Sequence, residues 1–185
     1  MTSVTNHTEL SDEQLFSAYH TGDMAAFESL YARYRQSMYL FLLRRGLNES
    51  SAEDVYHDTW IKVLEQTQFK HNNFKAWLYT VMRNLSIDAL RKSSIRVVEE
   101  FDESVHDEQS HVSAQKQTED NDCLDLMTTS ITQLPFEQRD AFLLQHEAGL
   151  SLQQIAEVMS TGKETIKSRL RYAMNSLKQW LEECL

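Results

Sequence analysis

Between Gly162 and Lys178 the chain carries five Lys/Arg and a single Glu, a local excess of positive charge. The residues alternate with a helical period. At about 100° per residue, Ile166, Leu170, Ala173, Leu177 and Leu181 fall on one side of a helix. Glu164, Ser168, Arg171, Tyr172 and Asn175 fall on the other, and Lys167 and Arg169 flank the apolar stripe. Such a face recognises; it does not break bonds. An Arg fork matches guanine and a Glu accepts from the cytosine amino group, so Glu164, Ser168 and Arg171 suit base edges. Lys163, Lys167 and Arg169 suit phosphates, which position a helix without reading sequence. Thr165 and Tyr172 complete the candidate contacts.

Two elements must hold that face. Ser151 with Gln154 makes a capping box that opens a first helix, whose apolar side is Ile155, Ala156 and Met159. Ser160-Thr161-Gly162 breaks it, and Thr161 with Glu164 is expected to cap the second helix. Two short helices joined by a tight turn, the second one basic, form a helix-turn-helix of the kind that enters a DNA major groove.

A second cluster lies at Phe74–Lys92, FKAWLYTVMRNLSIDALRK. Phe74, Lys75, Trp77, Tyr79, Arg83, Asn84, Arg91 and Lys92 combine aromatic faces with cations. That is what opening a duplex requires, because rings replace lost base stacking and cations hold the freed strand. Leu78, Val81, Met82 and Leu85 are core positions of the same helix, and Trp77 and Tyr79 carry core as a second assignment. Catalytic readings are thin. His57-Asp58 is a pair found in metal phosphohydrolases, but no other His has ligand spacing, and His146-Glu147 lacks the second His of HExxH. Neither a metal, a cofactor nor an enzymatic activity is expected.

The 185 residues are 41% hydrophobic, enough for one or two small cores, and one Pro and four Gly point to an all-α fold. No apolar run is long enough to span a membrane, and the polar, acidic N-terminus is unlike a signal peptide. Cys123 and Cys184 form no CxxC and fit a reducing, cytoplasmic setting, with a redox role for Cys123 as the minor reading. The net charge of −10 is concentrated: residues 96–125 hold 2 basic and 10 acidic groups, while the flanking parts are each close to neutral.

Capping signals divide the chain. Ser11 with Gln14 opens a short helix ending near Gly22. Asp23 caps a long helix with a buried stripe of Phe27, Leu30, Tyr31, Tyr34, Met38, Phe41 and Leu42, closed by Gly46. Ser50 with Glu53 is expected to cap a third helix to about Gln66, and a fourth runs from Phe74 or Lys75 to near Lys92. Leu134-Pro135 breaks a later helix, and the next runs from Pro135 to Ala148. This predicts two small helical domains, 10–95 and 122–185, joined by an acidic flexible linker, 96–121. As a coil such a linker holds its ends roughly 30 Å apart, and extended it spans about 100 Å.

Three blocks in this order resemble the extracytoplasmic-function (ECF) sigma factors of bacterial RNA polymerase. They are AEDVYHDTWIKVLE, FKAWLYTVMRNLSIDALRK and LPFEQRDAFLLQHEAGLSLQQIAEVM…KSRL, together covering about 10–95 and 122–182. The resemblance implies a chain that binds core polymerase and directs promoter-specific initiation. It implies that Asp54, His57, Asp58 and Lys62 grip the β′ clamp. His57 stands where relatives commonly have Gln. It implies that the second block reads and melts the −10 element, with a base pocket in the preceding loop, about Thr67–Asn73, where Asn72 and Asn73 are candidate readers. It implies that the helix-turn-helix reads the −35 element and docks on the β flap. Here Tyr172 stands where Arg is common and Arg171 lies one place earlier, so the −35 preference is the chain's own. The acidic linker would run through basic polymerase channels as a mimic of RNA, or serve as a passive tether. Members of this group are often held by an anti-sigma partner.

A stand-alone helix-turn-helix regulator is the competing reading, with residues 1–95 as a sensor or dimerisation domain. A lone monomeric helix-turn-helix of small positive charge binds duplex weakly and with steep salt dependence, which counts against it.

Overall fold

The structure, a computed structural model, describes residues 7–66, 73–101 and 119–181. Among them are eight helices and no strand. The N-terminal half contains α1 (Asp12–His20), α2 (Met24–Arg45), α3 (Glu49–Glu65) and α4 (Phe74–Phe101). The C-terminal half contains α5 (Glu119–Gln133), α6 (Phe136–His146), α7 (Leu152–Val158) and α8 (Lys163–Trp180).

Local chemistry starts and stops these helices. The Ser11–Gln14 box caps α1, and Asp23 caps α2 by accepting from the N–H groups of Ala25 and Ala26. Gly46, at φ 109°, closes α2 in the left-handed region, where a side chain would be strained. A Cβ at Gly46 would also stand 3.3 Å from Arg139 Nη1, so space and φ both call for glycine.

Several boundaries differ from the sequence expectation. Asn48 caps α3, its side chain accepting from Ser51 N–H at 2.8 Å, which leaves Ser50 and Glu53 inside the helix. The Thr161–Glu164 capping box does not form. Thr161 N–H bonds back to Ala156 C=O at 2.9 Å, Gly162 becomes the N-cap, and Glu164 pairs with Lys167 instead. The fourth helix runs on to Phe101 and the fifth begins at Glu119, so helix enters both ends of the segment expected to be linker. The helix after Pro135 spans Phe136–His146, because Pro135 is its extended N-cap.

The predicted stripes are the core. Leu30, Tyr34, Met38, Phe41 and Leu42 of α2 meet Val55, Trp60 and Val63 of α3 and Leu78, Tyr79 and Met82 of α4. Ile166, Leu170, Ala173 and Leu177 of α8 meet Leu143 and Leu144 of α6 and Ile155 of α7. Each fully buried Leu contributes about 1.5–3 kcal/mol relative to exposure, so these stripes supply most of the drive to fold. The two halves are not held apart. They pack through α2 and α4 against α5, α6 and α7, and their buried residues form one continuous cluster.

Candidate nucleic-acid interface

Of the two caps expected in the helix-turn-helix, the first forms. Ser151 and Gln154 bond reciprocally, at 2.8 and 3.3 Å, to open α7. The turn passes through Ser160 at φ 50°, a left-handed position taken here by a small residue. α8 then buries its stripe and exposes Lys163, Glu164, Thr165, Lys167, Arg171 and Tyr172 along one side. Lys167 Nζ lies 2.6 Å from Glu164 Oε1, an exposed pair worth about 0.3–0.5 kcal/mol that a phosphate can displace. The Arg171 guanidinium sits over the Tyr172 ring, 5.3 Å from its centroid. Ser168 is half-buried. Arg169 turns inward and binds Glu137 of α6 at 3.0 Å.

The aromatic-basic helix is divided by burial. Asn73 caps α4, its Oδ1 accepting from Ala76 N–H at 2.7 Å. Phe74 and Tyr79 are fully buried and are core residues, not strand contacts. Phe74 packs with Phe16, Tyr34 and Trp77, and Tyr79 packs with Phe41 and Tyr34. Burial pushes the Tyr79 hydroxyl up to about 12, and it donates to Ser37 Oγ at 3.2 Å. Their positions in the helix explain this: Phe74, Leu78 and Met82 repeat every four residues, with Tyr79 beside them on the buried side. Trp77 is half-buried against Phe74, while Asn84, Arg91 and Lys92 are exposed. Lys75 is half-buried, and burial lowers its ammonium below the ordinary range. Its Nζ lies beside Gly149, 3.6 Å from where a Cβ would stand. Arg83 is almost fully buried, with Nε 2.7 Å from Asp140 Oδ2. Asn72 and the rest of the loop 67–72, residues 102–118 of the linker, and Cys184 lie outside the described residues.

On α3 the residues Asp54, His57, Asp58 and Lys62 are all exposed. Lys62 pairs with Glu65 at 2.8 Å, which raises its ammonium above the ordinary range. Two residues absent from the sequence expectation join them: Ile61 and Leu64 are 49% and 44% exposed. Their signal was present, because both fall outside the Val55–Trp60–Val63 stripe of an amphipathic helix. A shallow groove of about 490 Å³ runs beside this face, between Asp54, His57 and Asp58 of α3 and Asp88 and Lys92 of α4. No group of His, Cys, Asp or Glu suited to a metal occurs among the described residues.

Arg45 and Asp140 were the other omissions. Arg45 belongs to the Met38–Phe41–Leu42 face of α2, and Asp140 to the Leu143–Leu144 face of α6. A charged residue at a core position was the available signal.

Comparison with known proteins fits this architecture. Residues 30–95 match Sigma-70 region 2, and residues 124–177 match Sigma-70 region 4. The ECF RNA polymerase sigma factor SigL of Mycobacterium tuberculosis is 31% identical over 167 residues, 87% of this chain and 92% of SigL. SigM of Bacillus subtilis, also an ECF RNA polymerase sigma factor, is 24% identical over 82% of this chain and 92% of its own. The sigma factor RpoE of Bartonella quintana, solved with its anti-sigma factor NepR, superposes with a TM-score of 0.67 at 26% identity. That match covers 84% of this chain and 96% of RpoE. CnrH, solved with the cytosolic domain of CnrY, shares the fold at a TM-score of 0.67 and 18% identity, over 93% and 97% of the two chains. Two sigma regions in order, with 31% identity to SigL over most of both chains, make this chain a member of the ECF RNA polymerase sigma factor family.

Proposed function

We propose that this sigma factor reads the −35 element with the exposed face of α8, through Lys163, Glu164, Thr165, Lys167, Arg171 and Tyr172. One observation carries the reading: the described cations of α8 other than Arg169 are exposed, clear of its buried stripe and of the core. Arg171 reads a base and the lysines hold phosphates. The −10 element is read and melted by α4 and the loop before it, with Trp77 supplying the stacking face and Lys75, Arg83, Asn84 and Arg91 holding the strand.

The α3 face of Asp54, His57, Asp58 and Lys62 grips the β′ clamp, and exposed Ile61 and Leu64 supply its apolar centre. The helix-turn-helix half docks on the β flap. The protein works in the cytoplasm and catalyses no reaction itself, and an anti-sigma partner of the kind seen with RpoE holds it in reserve. Among the described residues no helix is long and apolar enough to cross a membrane.

Run-off transcription with purified core polymerase tests this reading. Promoter-dependent transcripts that require both this chain and its α8 face support it. Equal transcription from a chain lacking the α8 cations overturns it, and tight duplex binding without polymerase transfers the assignment to a stand-alone regulator.

A further inference from the structure

Helix α1 is tied to both sides of the loop that precedes α4. At its C-terminal end, the two ring nitrogens of His20 face the carbonyl oxygens of Phe16, at 3.0 Å, and of Gln66, at 2.5 Å. Gln66 is the C-cap of α3, where the loop begins. At its N-terminal end, Glu13 Oε1 accepts from the N–H of Phe74, the first residue of α4, at 2.9 Å. Phe16 packs between these two bonds, its ring 4.3 Å from that of His20 and 5.5 Å from that of Phe74. Glu13, Phe16 and His20 follow one another at spacings of three and four, so they share one face of α1. Asp12 anchors α1 on α2 in turn, accepting from the Tyr34 hydroxyl and, at 2.5 Å, from Arg33 Nη1.

The burial of α1 does not depend on these two bonds. Leu15 and Phe16 are its buried residues, whereas His20 is exposed and Glu13 half-buried. What Glu13 and His20 bind is backbone at helix ends, the kind of group that a helix cannot satisfy within itself. His20 meets both of its carbonyls as a donor; a neutral ring keeps one of the two bonds and the imidazolium keeps both. Asn73 adds the cap of α4 through Ala76 N–H at 2.7 Å. A chain that reads a base needs supporting groups that hold it without touching the ligand. A segment whose two ends are already fixed loses less freedom on binding than one whose ends move.

We propose that Glu13 and His20 are positioning residues for −10 recognition: from one face of α1 they set the C-terminus of α3 and the N-terminus of α4, and so the bases that the loop between them accepts. The proposal rests on the reading of that loop as part of the −10 reader given above, and neither residue touches DNA in it.

The test uses the full chain with Glu13→Ala and His20→Phe together, in transcription with core polymerase from promoter libraries randomised at −10 or at −35. Phe keeps a ring against Phe16 and Tyr19 and removes the donors. Discrimination between the best −10 sequence and its single-base variants should fall about threefold to tenfold, the range that one or two hydrogen bonds supply, with the −35 preference unchanged. Unchanged −10 discrimination overturns the proposal. So does a loss of output shared equally by all promoters, which is what a merely loosened fold gives. Glu13→Gln keeps an amide oxygen for the Phe74 N–H and should retain the −10 preference that Glu13→Ala relaxes; relaxation in both overturns the proposal. If the double variant loses its helical circular dichroism, His20→Phe alone decides, because His20 is exposed. A relaxed −10 preference then supports positioning and an unchanged one overturns it. Asn72→Ala separates the proposal from the reading beneath it. A −10 preference altered in Asn72→Ala but not in the α1 variants sinks positioning alone, whereas no alteration in any of them sinks the loop reading and the proposal with it.

Discussion

At the scale of single residues, exposure decides which side chain is available for recognition, and the sequence gives only part of it. Arg171 was legible because its stripe is regular: Ile166, Leu170, Ala173 and Leu177 are buried, so Arg171 opposite them is exposed. Arg171→Ala should cost about 1–3 kcal/mol at the native promoter and relax preference at one −35 position, measured by transcription from a library randomised there. An unchanged preference would remove Arg171 from the base-reading set. Tyr79 was not legible in the same way. An aromatic beside a core stripe serves stacking or packing equally well in a one-dimensional pattern, and only the Phe41 and Tyr34 rings around it decide for packing. Trp77 keeps an accessible side against its Phe74 contact. Trp77→Ala should lose transcription from duplex DNA and recover it on a pre-melted template. No recovery in a chain of unchanged helicity would contradict a role in opening. Arg45 was invisible for a different reason: its partners Asp140 and Ser86 are far away in sequence, and no local pattern announces such a pairing.

At the scale of elements, caps were read well where a side chain reaches three residues ahead, as at Ser11, Asp23 and Ser151. They were misread where two candidates compete. Asn48 outcompeted Ser50 because its amide oxygen reaches Ser51 N–H, and Gly162 displaced Thr161 because the turn consumed the Thr161 N–H. The exposed apolar pair on α3 gives an element-level prediction. Ile61→Glu with Leu64→Glu should lower affinity for core polymerase at least tenfold, a loss of about 1.4 kcal/mol or more. Both residues are exposed, so thermal stability should change little, and unchanged core affinity would place the clamp contact elsewhere. A second element-level prediction concerns the junction of α1 with α4, where Phe74 N–H donates to Glu13 Oε1 at 2.9 Å. Burial raises the Glu13 carboxyl, but that bond and those from its own N–H and Ser11 outweigh burial and leave it below its ordinary 4.5. Its contribution is thus present above the unfolded value and is lost as pH falls through the lower folded one. Glu13→Gln should flatten the fall in melting temperature between about pH 6 and about pH 3. An identical fall in both chains would contradict this.

At the scale of the whole molecule, the all-α class, the order of the parts and the acidic middle segment were all legible, because hydrophobic period, caps and charge are written locally. The packing of one half on the other was not. It brings Arg45, Arg83, Glu137 and Asp140 together across the fold beside a shared apolar core, and a net charge per segment says nothing about which individual charges pair. The same feature accounts for a DNA-reading chain with a net charge of −10: its cations are local, and several are already matched by carboxylates of its own.

The most direct test of the central claim is genome-wide mapping of the 5′ ends made by core polymerase with and without this chain. The account predicts new starts sharing two short motifs at a fixed spacing, with the upstream motif losing its preference at one position in Arg171→Ala. Binding to core with no new starts, or new starts without a shared upstream motif, would contradict it.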